Sequence, residues 1–234
     1  EKILESEVLL IPEIPEVKNK ENNPVVIPPP LKEETKLIGN KRGKIAIVID
    51  DMGMNLSQSR AAINLPSEVT LAFLPYAEQV KALSDEANRQ GHEIIIHAPM
   101  EAMSSDVPLG PMALMSHMDF AQFSSEFNKI ADSFNGYVGL NNHMGSKLTQ
   151  SKEHMAYLMD NLKPKDMYFL DSRTIHTSVA AEMAALYGVP TVTRDIFLDH
   201  EETEEYTAEA LARLERMALE NGSAVAIGHP KEIT

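Results

Sequence analysis

An α/β fold built on a parallel sheet or barrel is what this sequence predicts, and three observations carry the prediction. Five apolar residues run unbroken from Ile45 to Ile49, as in a strand covered on both faces. Runs of this kind alternate along the chain with helical patterns, which implies right-handed crossovers between parallel strands. Polar side chains gather just past the runs, at the carboxyl ends where such sheets and barrels hold their ligands.

The elements follow in order. Glu1 to about Gly43 carries prolines at 12, 15, 24, 28, 29 and 30 among charges and has no sustained period, so residues 1–43 are expected to be an extended, disordered, Pro-rich tether. The globular domain is expected over 44–234. Strands are predicted near Lys44–Ile49, Val69–Leu74, Glu93–Ile96, Tyr137–Leu140, Met167–Leu170, Thr191–Thr193 and Ala224–Ile227, seven in all. Between them, Val80, Leu83 and Ala87 mark one amphipathic helix, and Phe120, Phe123, Phe127, Ile130 and Phe134 mark another whose aromatic face is core packing. Further helices are predicted near Ser57–Leu65, Ser151–Leu162, Ser178–Tyr187 and Thr207–Glu220, with Gly188 and Gly222 as C-caps of the last two.

Composition excludes several functions. A formal charge of −14 and no basic cluster make a phosphate backbone or an anionic membrane a poor partner, so no nucleic acid is expected. With no cysteine there is no disulfide, thiolate nucleophile or cysteine zinc site, a composition compatible with export. No apolar run reaches membrane-spanning length, so no integral membrane segment is expected in this chain. The chain begins at Glu1 rather than at a methionine, which suggests that a signal or anchor has been removed.

What stands at the strand ends is chemistry: Asp50 with Asp51, then His97, then Asn141, Asn142 and His143, then Asp171, then Arg194 with Asp195, and finally His229. Adjacent carboxylates repel unless a cation or a shared proton offsets them. Asp and His donors from separate strands suit zinc or a similar ion with a position left open for water, the pattern of a catalytic site. Asn141 and Asn142 bring amides, and Gly145 lets backbone approach a ligand. His92, His117, His154, His176 and His200 fall away from the strand ends and read as surface or structural residues.

These residues resemble a family. Ile49-Asp50-Asp51-Met52-Gly53, His97-Ala98-Pro99-Met100-Glu101, Asn141 to Ser146, Leu170 to Thr174, Arg194 to Asp199 and Gly228-His229-Pro230 look like the ordered motifs of the divergent polysaccharide deacetylases, from Lys44 to the last residue. The resemblance implies a distorted, partly open β/α barrel of about seven parallel strands, a divalent metal that is usually zinc, and hydrolysis of acetyl groups on envelope carbohydrate. It implies Asp50 as general base, Asp51 and His97 as metal ligands, Arg194 and Asp195 as residues orienting base and acid, and His229 as the acid serving the leaving group. Wider deacetylases take a second histidine four residues after the first, where this chain has Glu101. The third ligand is then Glu101 or His143, and His143 is preferred because neutral imidazole adds no charge beside two aspartates. Asn141, Asn142, Asp171 and Glu101 remain as substrate-binding residues. The family continues into a further helix after the late histidine, whereas this chain stops at Thr234.

The expected partner is an acetylated glycan or peptidoglycan, and the expected place is the periplasm or outside the cell. Two other readings stay open: an inactive metal- and glycan-binding envelope accessory protein, and a peptidoglycan amidase. Met100, Met103, Met112, Met115 and Met118 form either a flexible apolar lining over the site or ordinary core filling.

Overall fold

The computed structural model describes residues 43–106 and 108–234. The tether expected over 1–43 lies outside these residues except for Gly43, so the description concerns the globular domain alone.

Eight strands form one sheet: β1 (Lys44–Met52), β2 (Thr70–Phe73), β3 (Ile94–Met100), β4 (Gly139–Met144), β5 (Tyr168–Asp171), β6 (Thr191–Thr193), β7 (Ile196–Phe197) and β8 (Ser223–Gly228). Their spatial order is β6-β5-β4-β3-β2-β1-β8-β7, and every pairing is parallel. The strand beyond the seven expected is β7, two residues long and too short to show a period. The helices are α1 (Leu56–Ile63), α2 (Val80–Arg89), α3 (Phe120–Ala131), α4 (Lys152–Leu162), α5 (Ala180–Tyr187) and α6 (Glu204–Asn221). Side-chain caps set the starts of α1, α3, α4 and α6, including a capping box between Asp119 and Gln122 at α3, while Gly188 and Gly222 end α5 and α6 with positive φ.

The connection from β6 to β7 shows why the sheet must curl. These two strands are the opposite edges of the sheet, yet only Arg194 and Asp195 join them. Three Cα steps span at most about 11 Å, so the edges nearly meet at this end and the sheet is a partial barrel. The dipeptide is fastened on both sides, since the Arg194 N–H donates to Asp171 O of β5 and the Asp195 N–H to Val225 O of β8.

Alternation along the strands sorts side chains into two layers. Val48, Ala72, Ile95, Leu170, Val225 and Ile227 pack together with no helix residue among them, and they fill the barrel interior. Ile49, Phe73, Ile96 and Leu140 point the other way, against Phe123, Phe127, Leu158 and other helix residues. A smaller cluster seats α6, through Ala210, Leu214 and Ala218, on Ala224 and Ala226. One expectation is corrected: the apolar run of β1 is covered only in its second half. Ile45 is 44% exposed and Val48 is 4% exposed, because β2 pairs with β1 only from Val48 onward. Met100, Met112 and Met118 pack on the core while Met103 is exposed, so that stretch is mostly core filling.

Candidate metal centre and active site

The interior layer leads straight into the site. One step beyond the buried interior residues stand Asp50 on β1, His97 on β3, Asn141 and His143 on β4, Ser172 after β5 and His229 after β8, all two or four residues along from inward-facing positions. Adjacent residues of a regular strand point to opposite faces, so Asp51 ought to leave the site. It does not, because β1 is irregular there: its pairing with β2 shifts between Ile49 and Met52, and Asp51 adopts φ 56. Met52 consequently packs in the outer layer with Ile49, three residues earlier. Left-handed backbone in a non-glycine residue is strained, and strain of this kind collects at functional sites.

The bulge brings three donors together. Asp51 Oδ1 lies 3.3 Å from His97 Nε2 and 3.1 Å from His143 Nδ1, and the two nitrogens are 3.1 Å apart. Zinc–nitrogen bonds of 2.0–2.1 Å put tetrahedral ligands roughly 3.3–3.4 Å apart, so the triangle has the size of one face of such a site. Asp51 Oδ1 is buried and has no hydrogen-bond partner among the described residues, the two imidazole nitrogens being near it but not aimed to donate. A buried carboxylate oxygen facing two nitrogens without a proper hydrogen bond is what a cation would satisfy. The residues therefore fit a divalent ion, and Asp51, His97 and His143 would hold it.

Supporting bonds fix the tautomers. Asn141 is fully buried; its Oδ1 accepts from His97 Nδ1 at 2.8 Å, and its Nδ2 donates to Asp50 Oδ1 at 2.8 Å and to Ser172 Oγ at 3.2 Å. This pins the proton of His97 on Nδ1 and frees Nε2 toward Asp51. His229 Nδ1 likewise donates to Asp199 Oδ1 at 3.0 Å, and its Nε2 stands 4.0 Å from Asp51 Oδ2. Asp199 is held in turn by the His229 N–H and Thr234 Oγ1.

The electrostatics follow from burial and these contacts. Burial pushes the Asp50 carboxyl above its ordinary range despite His97 and the Asn141 amide. Burial would raise Asp51 too, but the His143 and His97 imidazoles more than offset it and hold the group well below the usual carboxylate range. For His97 burial acts downward, and the Asp50 and Asp51 carboxylates outweigh it, raising the imidazole to about 9. His229 is also raised, burial being outweighed by Asp199.

The other expected residues lie elsewhere. Glu101 accepts from Lys147 Nζ and the Ser116 N–H, both at 2.7 Å, and is not among the clustered metal donors. Asn142 faces the outer layer and bonds the Ser172 N–H and Met144 O. Asp171, also outward, accepts from the Arg173 N–H and Ser178 Oγ. The Asp195 carboxylate accepts from the Val225 N–H and bonds neither Asp50 nor His229; the partner of His229 is Asp199. Arg194 reaches Asp50 only indirectly, through Ser172 and Asn141. Sequence reasoning gave no role to Ser172 or Asp199. Ser172 was findable by parity, two residues beyond inward-facing Leu170; Asp199 sits in the quoted motif but its partner is set by the β7–β8 pairing, which no local pattern reveals.

Residues 47–234 match the profile described as divergent polysaccharide deacetylase. An uncharacterized protein of Haemophilus influenzae is 38% identical over 193 residues, 82% of this chain and 69% of that protein. The uncharacterized protein YibQ of Escherichia coli is 35% identical over 192 residues, 82% of this chain, and the match spans 60% of YibQ. The crystal structure of the uncharacterized protein ATU2773 from Agrobacterium tumefaciens C58 superposes with a TM-score of 0.79 at 26% identity, over 83% of this chain and 80% of that one. With its parallel barrel, its strand-end Asp and His residues and a match over most of its length, the chain belongs to the divergent polysaccharide deacetylase family.

Proposed function

We propose that the domain is a metal-dependent hydrolase that removes acetyl groups from carbohydrate of the cell envelope. The observation that carries this reading is the unpartnered Asp51 Oδ1 facing His97 Nε2 and His143 Nδ1, with a second carboxylate and a half-buried histidine beside it. The donor set favours zinc. What such an ion supplies when bound is Lewis-acid polarisation of an acyl carbonyl and a more acidic water.

The protein's own groups divide the proton work. Asn141 anchors Asp50 Oδ1, leaving Oδ2 as the atom that takes the proton of the attacking water, and burial raises its basicity. Asp199 holds His229 by Nδ1, so Nε2 is the atom that faces the site, and the same carboxylate raises the imidazole above its ordinary value, favouring the charged form. Nε2–H then passes its proton to the departing nitrogen or oxygen. Arg194 and Asp195 serve by closing the barrel beneath these groups rather than by touching them. Placement in the periplasm or outside the cell is part of the same proposal; it is supported by the lack of cysteine and by a Pro-rich N-terminal stretch suited to a tether.

The test is acetate release from N-acetylated and O-acetylated oligosaccharides by zinc-loaded protein, with chelated protein as control. Zinc-dependent acetate release is expected. Stoichiometric zinc and oligosaccharide binding with no acetate from either substrate would replace the hydrolase with a binding module.

A further inference from the structure

Beside the site, a recess of about 260 Å³ is walled by Arg173, His176, Arg194 and Asp195. In a chain with a formal charge of −14, two neighbouring guanidinium groups here call for an explanation. They repel each other, and burial together with Arg173 pushes Arg194 below its ordinary value. Among the described residues neither forms a salt bridge. Asp171 and Asp195 attract Arg194 without bonding it: Asp171 accepts from the Arg173 N–H and Ser178 Oγ, and Asp195, which lines the recess, accepts from the Val225 N–H through Oδ2.

Arg194 is held in place from behind. Arg194 Nε donates to Ser172 O at 2.7 Å and Nη2 to Arg173 O at 3.0 Å, and its guanidinium carbon sits 3.6 Å from the Phe197 ring centroid. The remaining Arg194 N–H groups have no partner among the described residues, and Arg173 extends from a residue at φ 48 whose N–H is tied to Asp171. Phe197 in turn stacks on His229, ring centroids 6.3 Å apart at 22°. A stack of Arg194, Phe197 and His229 thus joins the recess to the group proposed to protonate the leaving atom.

We propose that this recess is a subsite for an oxyanion, carboxylate or phosphate, carried by the substrate on the leaving-group side of the scissile bond, Arg173 and Arg194 together receiving it. Paired guanidinium forks match planar and tetrahedral oxyanions alike. The proposal rests on the hydrolase reading for the position of the leaving group; the binding of the oxyanion itself does not.

The experiment compares binding of 3-O-carboxymethyl-N-acetylglucosamine, its neutral methyl ester and N-acetylglucosamine 6-phosphate to zinc-loaded protein by calorimetry, with acetate release followed in parallel. At least one anionic probe is expected to bind on the order of tenfold tighter than the ester, and which one does identifies the oxyanion. The preference should shrink as salt rises and fall to near unity in Arg173→Gln, while Arg173→Lys should recover part of it. Equal binding of all three probes overturns the proposal, as does a preference that survives intact in folded Arg173→Gln. Arg173-dependent preference without acetate release sinks the hydrolase reading and leaves the subsite standing. Acetate released equally well from acid, phosphate and ester, with equal affinities, does the reverse.

Discussion

The strand ends carry two rows of polar side chains that look alike in sequence and differ wholly in use. The inward row, Asp50, His97, Asn141, His143, Ser172 and His229, converges on one point above the barrel interior. The outward row, Asn142 and Asp171, is spent on backbone and hydroxyl groups of the β4 and β5 loops. Asn141 and Asn142 are adjacent, both buried and chemically identical, yet one bonds His97 and Asp50, the proposed ligand and base, while the other holds a turn. The strand period of two assigns the work, and Asp51 joins the inward row only because a bulge breaks that period.

The largest effects should come from the donors. Asp51→Asn and His143→Ala are expected to lose the metal and, with it, acetate release down to the level of chelated protein; elemental analysis of each variant checks this. Glu101→Ala should keep full occupancy, and loss of metal there with retention in His143→Ala would reverse the ligand assignment. Next in size is Asp50→Asn, predicted to keep its metal and lose roughly 10²–10⁴-fold in turnover. Parallel metal loss would instead make Asp50 a ligand.

His229→Ala should retain the metal, lower the rate and flatten the alkaline limb of the pH profile, since the proton given to the leaving atom is lost as pH rises past its raised pKa. N-acetyl substrates should suffer more than activated phenyl acetates. In metal-free protein, His97 raised to about 9 makes a second pH prediction. Its folded pKa exceeds the ordinary 6.5, so its contribution to stability is fully present below 6.5 and is lost as pH climbs through about 9. Because a metal needs the unprotonated Nε2, apparent zinc affinity should rise by about tenfold per pH unit over that range. Thermal melts and zinc titrations between pH 6.5 and 9.5 measure the two opposed trends, and a flat zinc affinity would contradict the His97 assignment.

How much of this was legible beforehand follows from the same parity. The alternation of strands and helices, the Gly188 and Gly222 caps and the buried Phe123, Phe127 and Ile130 of α3 are local patterns and could be read directly, whereas Phe120, expected in the core with them, is 42% exposed at the first turn of the helix. The eighth strand could not, since Ile196–Phe197 becomes a strand only by pairing with β8. His97 and His143 were legible as a pair of strand-end histidines, and the β3–β4 register, His97 beside Asn141 and Pro99 beside His143, is what sets their rings together. That Asp51 turns inward, that Asp195 closes the barrel and that Asp199 serves His229 depend on a bulge and on contacts across the β7–β8 pairing, which strand patterning does not encode.

The smallest expected effect belongs to the outward row. Asn142→Ala strands the buried Ser172 N–H, while Met144 O keeps its bond from Thr174 Oγ1, and should destabilise the domain by about 1–3 kcal/mol, lowering the melting temperature by about 2–4 °C for each kcal/mol. Its zinc affinity should stay within about threefold of wild type, whereas Asn141→Ala, one residue away, should weaken zinc by the 10–100-fold typical of a lost ligand-orienting partner. Equal zinc losses in the two variants would dissolve the distinction between the rows.

The central claim is that the inward row is a metal site, and diffraction at the zinc absorption edge from crystals grown with zinc tests it most directly. One anomalous peak is predicted, within about 2.0–2.2 Å of Asp51 Oδ1, His97 Nε2 and His143 Nδ1. A peak bound by Glu101 instead, or no peak among these three atoms at saturating zinc, would contradict it.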